Sequence, residues 1–121
     1  MENEIPPQVQ DQLNRLQQLR VQLQMILQQR QQVEIRLNEV NRALEELDKT
    51  DEKTTIFKNA GPILIKAKSK EEVKKELESD KEALQLRKNT LQKQEEKTKE
   101  KLNELQNKLQ SLLSSSGETI S

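Results

Sequence analysis

The residues that could carry chemistry in this chain are carboxylates, lysines and serines. Lys+Arg number 21 and Asp+Glu number 21, whereas His and Cys are absent. The chain therefore lacks the imidazole base, the thiol nucleophile and the soft metal ligands that enzymes use most often. The two glycines, Gly61 and Gly117, lie too far apart to form a phosphate-binding loop. We expect a protein that is not an enzyme and that holds no metal and no cofactor.

The distribution of charge limits the kinds of partner. The net charge is zero, so no overall basic field attracts nucleic acid or an anionic membrane. The lysines from Lys93 to Lys101 alternate with glutamates, which is typical of a solvated helix face with local ion pairs. No stretch is apolar enough to cross a membrane, and the first residues do not form a signal peptide. We expect a cytoplasmic protein without nucleic-acid or membrane partners.

Apolar residues recur in a seven-residue pattern in both halves of the chain. The first run comprises Val9, Leu16, Leu19, Leu23, Ile26, Val33, Leu37, Val40, Leu44 and Leu47, with polar exceptions at Gln12 and Arg30. The second comprises Leu77, Leu84, Leu91, Leu102, Leu105, Leu109 and Leu112, with Thr98 as an exception. Such runs predict coiled-coil helices. A composition of 31% hydrophobic and 1% aromatic residues suffices for a narrow seam, whereas a wide core would need more.

Local signals place the elements along the chain. We expect a first helix over about residues 8–49, a β-hairpin over 54–68, a second helix over 70–113 and a flexible tail over 114–121. Ser69 and Glu72 fit a capping box at the start of the second helix. The hairpin segments are rich in β-branched residues and flank a turn around Gly61 and Pro62. A tight helical loop is the alternative for this segment.

The numbering of the two apolar runs predicts that the chain folds back on itself. The residue numbers of Leu16 and Leu105 sum to 121, as do those of Leu19 and Leu102. The same rule places Arg30 opposite Leu91 and gives mixed polar and apolar layers in the middle. The predicted fold is mainly α, a long antiparallel coiled-coil helical hairpin with one β-hairpin at the bend.

The β-hairpin is too small to be stable alone and is apolar on both faces. We therefore expect several chains to pair their hairpins into a shared sheet or β-barrel. The predicted oligomerisation residues are Ile56, Phe57, Gly61, Ile63, Leu64 and Ile65.

The sequence resembles the β-class subunits of prefoldin, most closely the archaeal type, over nearly its whole length. The matching features are the Gln-rich first helix from Gln8, LEEL at 44–47, IFKNAGPILI at 56–65, LQLR at 84–87 and QEE at 94–96. The resemblance implies an assembly with α-type subunits, two α and four β, with a double β-barrel body. It also implies an ATP-independent chaperone that holds unfolded client proteins and passes them to a group II chaperonin.

Client binding is predicted where the two chain ends meet, at the tip of the coiled coil. The predicted binding residues are Ile5, Val9, Leu13, Leu16, Leu109, Leu112 and Leu113. Simple closure of the last helical turns by these residues is the alternative. A structural or tethering coiled coil is the second function considered. An interfacial membrane helix is the third, because Leu13, Val21, Met25 and Leu27 lie off the seam.

Overall fold

Two long helices flank a two-stranded antiparallel hairpin in the computed structural model, which describes residues 5–115. Helix α1 covers Pro7–Asp48, strand β1 Phe57–Ala60, strand β2 Ile63–Lys66 and helix α2 Lys70–Ser115. The predicted mainly α fold with one β-hairpin between the helices is confirmed. Helix α2 continues two residues beyond the expected 113, and the remainder of the expected tail, 116–121, lies outside the described residues.

The two ends of α1 follow from local chemistry. Pro7 is the first helical residue, where its fixed φ suits the helix and its missing N–H is not needed. After the last turn, Thr50 donates its N–H and its hydroxyl to the Leu47 carbonyl, at 3.1 and 2.6 Å. Asp51 then accepts the Thr54 hydroxyl at 3.1 Å. These bonds satisfy a terminal carbonyl and turn the chain away from the helix axis.

The hairpin has a two-residue loop. Its register pairs Phe57 with Lys66 at the open end and leaves Gly61 and Pro62 as the loop. Gly61 has a φ of +64°, whereas the proline ring fixes a negative φ at the next position. Of the two turn types favoured in such hairpins, type II′ combines a positive and then a negative φ. The Gly-Pro sequence thus selects the tight turn that sets the strand register.

A capping box starts α2. The Ser69 hydroxyl accepts the Glu72 N–H at 3.1 Å, as the sequence predicted. The Glu72 carboxylate also reaches back, and it accepts the N–H of Lys68 at 3.1 Å. Two backbone donors at the helix start are thereby satisfied, which fixes the path from β2 into α2.

The described residues divide into two compact units, which are residues 5–30 with 91–115, and residues 31–90. The first unit contains a buried apolar cluster formed by Val9, Leu16, Leu19, Leu102, Leu105 and Leu109. The predicted pairs Leu16 with Leu105 and Leu19 with Leu102 both lie in this cluster. A cluster that takes residues from both segments in this way is expected when the segments run in opposite directions and share one apolar seam.

Polar residues continue the seam of the first unit beyond this cluster. Arg30 Nη2 donates to Glu95 Oε1 at 2.9 Å, and the Glu95 side chain is only 10% exposed. Leu91 is completely buried, and the buried Thr98 hydroxyl bonds the Gln94 carbonyl at 2.8 Å. The numbering rule placed Arg30 opposite Leu91. The long side chain of Arg30 reaches the carboxylate of Glu95, which lies one turn beyond Leu91 along α2.

The second unit contains the end of α1, the hairpin and the start of α2. Its buried apolar residues are Leu37, Val40, Leu47 and Ala67. Ala67 donates its N–H to the Ile56 carbonyl at 2.8 Å, which continues the pairing just beyond the strands. Lys70 Nζ donates to the Thr50 carbonyl at 2.7 Å. The segments before and after the hairpin are therefore tied together.

Candidate functional site

The β-hairpin exposes large apolar side chains. Phe57 is 61% exposed, Ile63 60%, Leu64 67% and Ile65 39%, whereas Ile56 is half-buried. A two-stranded hairpin is marginally stable in water, and clustered exposed apolar surface is characteristic of an interaction site. The predicted oligomerisation residues thus lie on one small, apolar and accessible element.

The strand register divides the hairpin into two faces, because directly paired residues project to the same side. One face carries Phe57, Asn59, Leu64 and Lys66, and the other carries Lys58, Ala60, Ile63 and Ile65. Lys58 bonds to α2, so the second face is the one turned towards that helix. Phe57 and Leu64 lie on the opposite face, which is open to a partner.

Lys58 connects the hairpin to α2 through two carboxylates. Its Nζ lies 2.9 Å from Glu76 Oε1 and 3.3 Å from Glu72 Oε1. These hydrogen bonds, first to Glu76 and then to Glu72, raise the pKa of Lys58 above its ordinary value. The Lys68 N–H, and after it the Lys58 ammonium, lower the pKa of Glu72. Glu72 therefore both caps α2 and holds the hairpin against that helix.

The seven predicted client-binding residues divide into three groups in the first unit. Val9, Leu16 and Leu109 are buried members of the apolar cluster, at 8%, 8% and 4% exposure. Leu13 and Leu113 pack against that cluster while partly exposed, and Leu112 is half-buried. Ile5, before the start of α1, is 50% exposed. The structure thus brings five of the seven into one cluster, Val9, Leu13, Leu16, Leu109 and Leu113.

This arrangement determines which side chains a client could contact without a change of conformation. Ile5, Leu13, Leu112 and Leu113 present apolar surface as the helices stand. Val9, Leu16 and Leu109 become accessible only when the first turns of α1 and the last turns of α2 separate. Local opening near chain ends costs less free energy than opening of a central segment.

Some exposed apolar residues were interpreted differently or missed at the level of sequence. Val21 and Met25 are 48% and 55% exposed; their place off the seam had suggested a membrane interface. Within residues 5–115, neither helix combines the length and the apolar character needed to cross a membrane. Ile35 and Leu86, 60% and 63% exposed, were not singled out, although their positions off the heptad seam indicate the solvent side.

The contacts of Lys58 were also missed by sequence reasoning. The signal that could have found them is the spacing of Glu72 and Glu76, which places two carboxylates on the same side of α2. A lysine on the neighbouring strand is a suitable counter-charge. Only the turn of the chain between β2 and α2 brings the three groups within bonding distance.

Long heptad helices joined by an exposed β-hairpin define a class of coiled-coil subunits, and known proteins of this class match the chain. A family described as prefoldin subunit matches residues 10–116. The prefoldin subunit beta of Archaeoglobus fulgidus is 52% identical over 93 residues, covering 77% of this chain and 79% of the relative. That of Thermococcus onnurineus is 44% identical over 94 residues, covering 75% and 78%.

A solved structure agrees with these matches. The crystal structure of the prefoldin beta subunit from Thermococcus strain KS-1 superposes with a TM-score of 0.82 at 38% identity. The superposition covers 91% of this chain and 96% of that one. The chain therefore belongs to the prefoldin family of chaperone subunits. The resemblance inferred from the heptads and the hairpin sequence is confirmed.

Proposed function

We propose that this chain is a β-type subunit of an ATP-independent holdase. The holdase binds non-native proteins at the ends of its coiled coils and transfers them to a group II chaperonin in the cytoplasm. The observation that carries the proposal is the exposed apolar hairpin. The other unit of the chain contains an apolar cluster built from residues near both ends of the sequence. One site serves assembly and the other serves clients.

Assembly through the hairpin is supported by its exposed side chains. Phe57 and Leu64 lie on the face away from α2, and both are more than half exposed. Burying each such side chain against a partner contributes roughly 1.5–3 kcal/mol. Hairpins from several chains can join into one closed barrel, which removes their unpaired strand edges. The proposed assembly contains two α-type and four β-type subunits.

Client binding is supported by the apolar residues at the end of the first unit. Ile5, Leu13, Leu112 and Leu113 are accessible or half-accessible there. Non-native proteins expose apolar segments that these side chains can cover without any nucleotide. A single site of this size binds weakly, but several sites on one assembly raise the avidity through effective concentration. Release to a chaperonin then requires only that the individual contacts exchange rapidly.

A truncation tests the client site. We expect a variant without the residues before Val9 and after Gln110 to assemble with its α-type partner but to suppress aggregation of a denatured client poorly. Aggregation is followed by light scattering, and assembly by size-exclusion chromatography with multi-angle scattering. The point variant Leu13→Gln/Leu113→Gln, which keeps the full chain length, should show the same defect to a smaller extent.

The matched control is Leu86→Gln, which removes an equally apolar and 63% exposed side chain from the other unit. It should protect the client as the parent does. An intact truncated assembly with full protection would overturn the client site at the helix ends. If the parent assembly itself gives no protection, the chain serves instead as a structural or tethering coiled coil.

A further inference from the structure

One side of α1 in the first unit is almost free of charge. We call it the amide face; it consists of Gln10, Asn14, Gln17, Gln18, Val21, Gln24, Met25 and Gln28. These residues follow one another at helical spacings of three and four, and all are exposed. The charged residues of α1 before Arg30, which are Asp11, Arg15 and Arg20, lie outside this set. Val21 and Met25, one turn apart, add apolar surface to the amides.

The corresponding exposed side of α2 in the same unit has the opposite character. Its exposed residues over 93–107 are Lys93, Glu96, Lys97, Glu100, Asn103, Glu104 and Asn107, of which five are charged. Both sides lie away from the buried seam, so packing against the partner helix does not explain the difference. Solubility does not explain it either, because charged residues would serve solubility better than glutamine and methionine.

The amide face has the chemistry to hold an unfolded backbone. A primary amide both donates and accepts hydrogen bonds, so it can pair with the N–H or the C=O groups of an extended chain. Folded proteins pair nearly all their backbone groups internally, whereas non-native chains expose them. Without charges, the face neither repels a segment of like sign nor pays the cost of desolvating an ion.

Local geometry on the amide face fits this use. Gln10 Nε2 donates to Asn14 Oδ1 at 3.3 Å, so neighbouring amides along the helix are within bonding distance of each other. Asn14, Gln17, Gln18 and Val21 line a shallow depression. Met25 lies one turn beyond Val21, and its unbranched side chain adapts to irregular apolar groups.

From these features we propose that the amide face binds extended segments of non-native proteins along the side of α1. This inference rests on the proposed holdase function and extends it to a second contact region. The side of α1 is available without separation of the helices, unlike Val9, Leu16 and Leu109. A client held at the helix ends can therefore make additional contacts along Val21 and Met25.

Charge substitutions test the amide face on the complete assembly. The probes are two fluorescently labelled, reduced and carbamidomethylated chains, acidic α-lactalbumin and basic lysozyme, with binding measured by fluorescence anisotropy. We expect Val21→Glu/Met25→Glu to weaken binding of the acidic probe about tenfold. Val21→Lys/Met25→Lys should weaken binding of the basic probe by about the same factor. Val21→Gln/Met25→Gln should weaken both probes roughly threefold through loss of apolar contact.

The matched controls are Asn103→Glu/Asn107→Glu and Asn103→Lys/Asn107→Lys, which place the same charges at the same spacing on α2. They should leave both affinities within about twofold of the parent. If the variants at Val21 and Met25 bind both probes as the parent does, the amide face is not a client surface. If they change only the size of the assembly, the face joins copies of the chain, which also overturns the proposal. A parent that binds neither probe would refute the holdase function itself.

Discussion

At the scale of single residues, the ion pair between Arg30 and Glu95 influences how the two helices align. Glu95 is 10% exposed and Arg30 is 26% exposed, in a seam whose other buried residues are apolar except for Thr98. Removing two charges from water costs several kcal/mol, and their attraction often does no more than offset that cost. The pair therefore adds little to stability but favours one alignment of α1 on α2, since a shifted alignment would separate the charges. Lys99, 4.0 Å from Glu95, adds a weaker attraction on the solvent side.

We expect Glu95→Leu to lower the free energy of unfolding by about 1–3 kcal/mol, because the carboxylate that Arg30 bonds is lost. The double variant Arg30→Leu/Glu95→Leu should return to within about 1 kcal/mol of the parent, since neither charge is then buried. Urea unfolding at fixed protein concentration, followed by circular dichroism, measures both. Glu39→Leu is the control; it breaks the exposed Arg36–Glu39 pair, 3.2 Å apart, and should cost less than about 0.5 kcal/mol. A double variant that is no more stable than Glu95→Leu would contradict this account.

At the scale of elements, the junction between the hairpin and α2 depends on one carboxylate with two functions. Glu72 caps the helix through Lys68 and accepts Lys58 from β1. The first turn of α2 and the tilt of the hairpin are thereby linked. Because the hairpin is the proposed assembly element, its orientation should influence how readily subunits join.

The stability of this junction should depend on pH in two directions. The pKa of Glu72 lies below its ordinary 4.5, so its contribution is complete above 4.5 and is lost as pH falls through the folded-state pKa. The pKa of Lys58 lies above 10.5, so its contribution is complete below 10.5 and is lost as pH rises through the folded-state value. The junction is most stable between these limits.

Thermal unfolding of the assembled protein between about pH 6 and pH 3 tests the acid side. We expect Glu72→Gln to lower the melting temperature at pH 6. The melting temperature of this variant should also decline less steeply as the pH falls, because the titrating carboxyl of Glu72 is absent. Glu71→Gln, in the same helical turn and exposed, serves as the control and should retain the slope of the parent. An equally steep decline in Glu72→Gln and the parent would exclude Glu72 as the acid-sensitive group.

At the scale of the whole molecule, the chain leaves its most apolar element uncovered. Ile63 and Leu64 are both at least 60% exposed in the single chain, at the loop end of a hairpin that cannot be stable alone. The prefoldin family consists of subunits, which agrees with a surface that we expect other chains to cover. Assembly is therefore expected to be a condition for a stably ordered hairpin.

We expect Phe57→Asp to dissociate the assembly while leaving the helices formed, because a carboxylate would be placed at a buried apolar contact. Ile65→Asp, on the other hairpin face, should have the same effect. Size-exclusion chromatography with light scattering gives the mass, and circular dichroism gives the helix content. The control is Ile35→Asp on α1, since Ile35 is 60% exposed, close to the 61% of Phe57. An unchanged oligomer for both hairpin variants would contradict assembly through this element.

Much of the fold was determined by the sequence alone. The heptads of leucine and valine predict two coiled-coil helices because only a 3.5-residue period keeps one narrow seam apolar over many turns. Pro7, Ser69 and Gly61 act locally, through fixed φ, a hydroxyl acceptor and a positive φ. Such signals depend on a few neighbouring residues and can therefore be recognised without tertiary structure.

The tertiary structure decided the contacts that join distant parts of the chain. Arg30 bonds Glu95 and not a residue of its own helix, and Lys58 selects Glu72 and Glu76 among many carboxylates. A heptad pattern fixes the period of the seam, but charged residues at many positions are compatible with it. Only packing determines which of them lie within bonding distance.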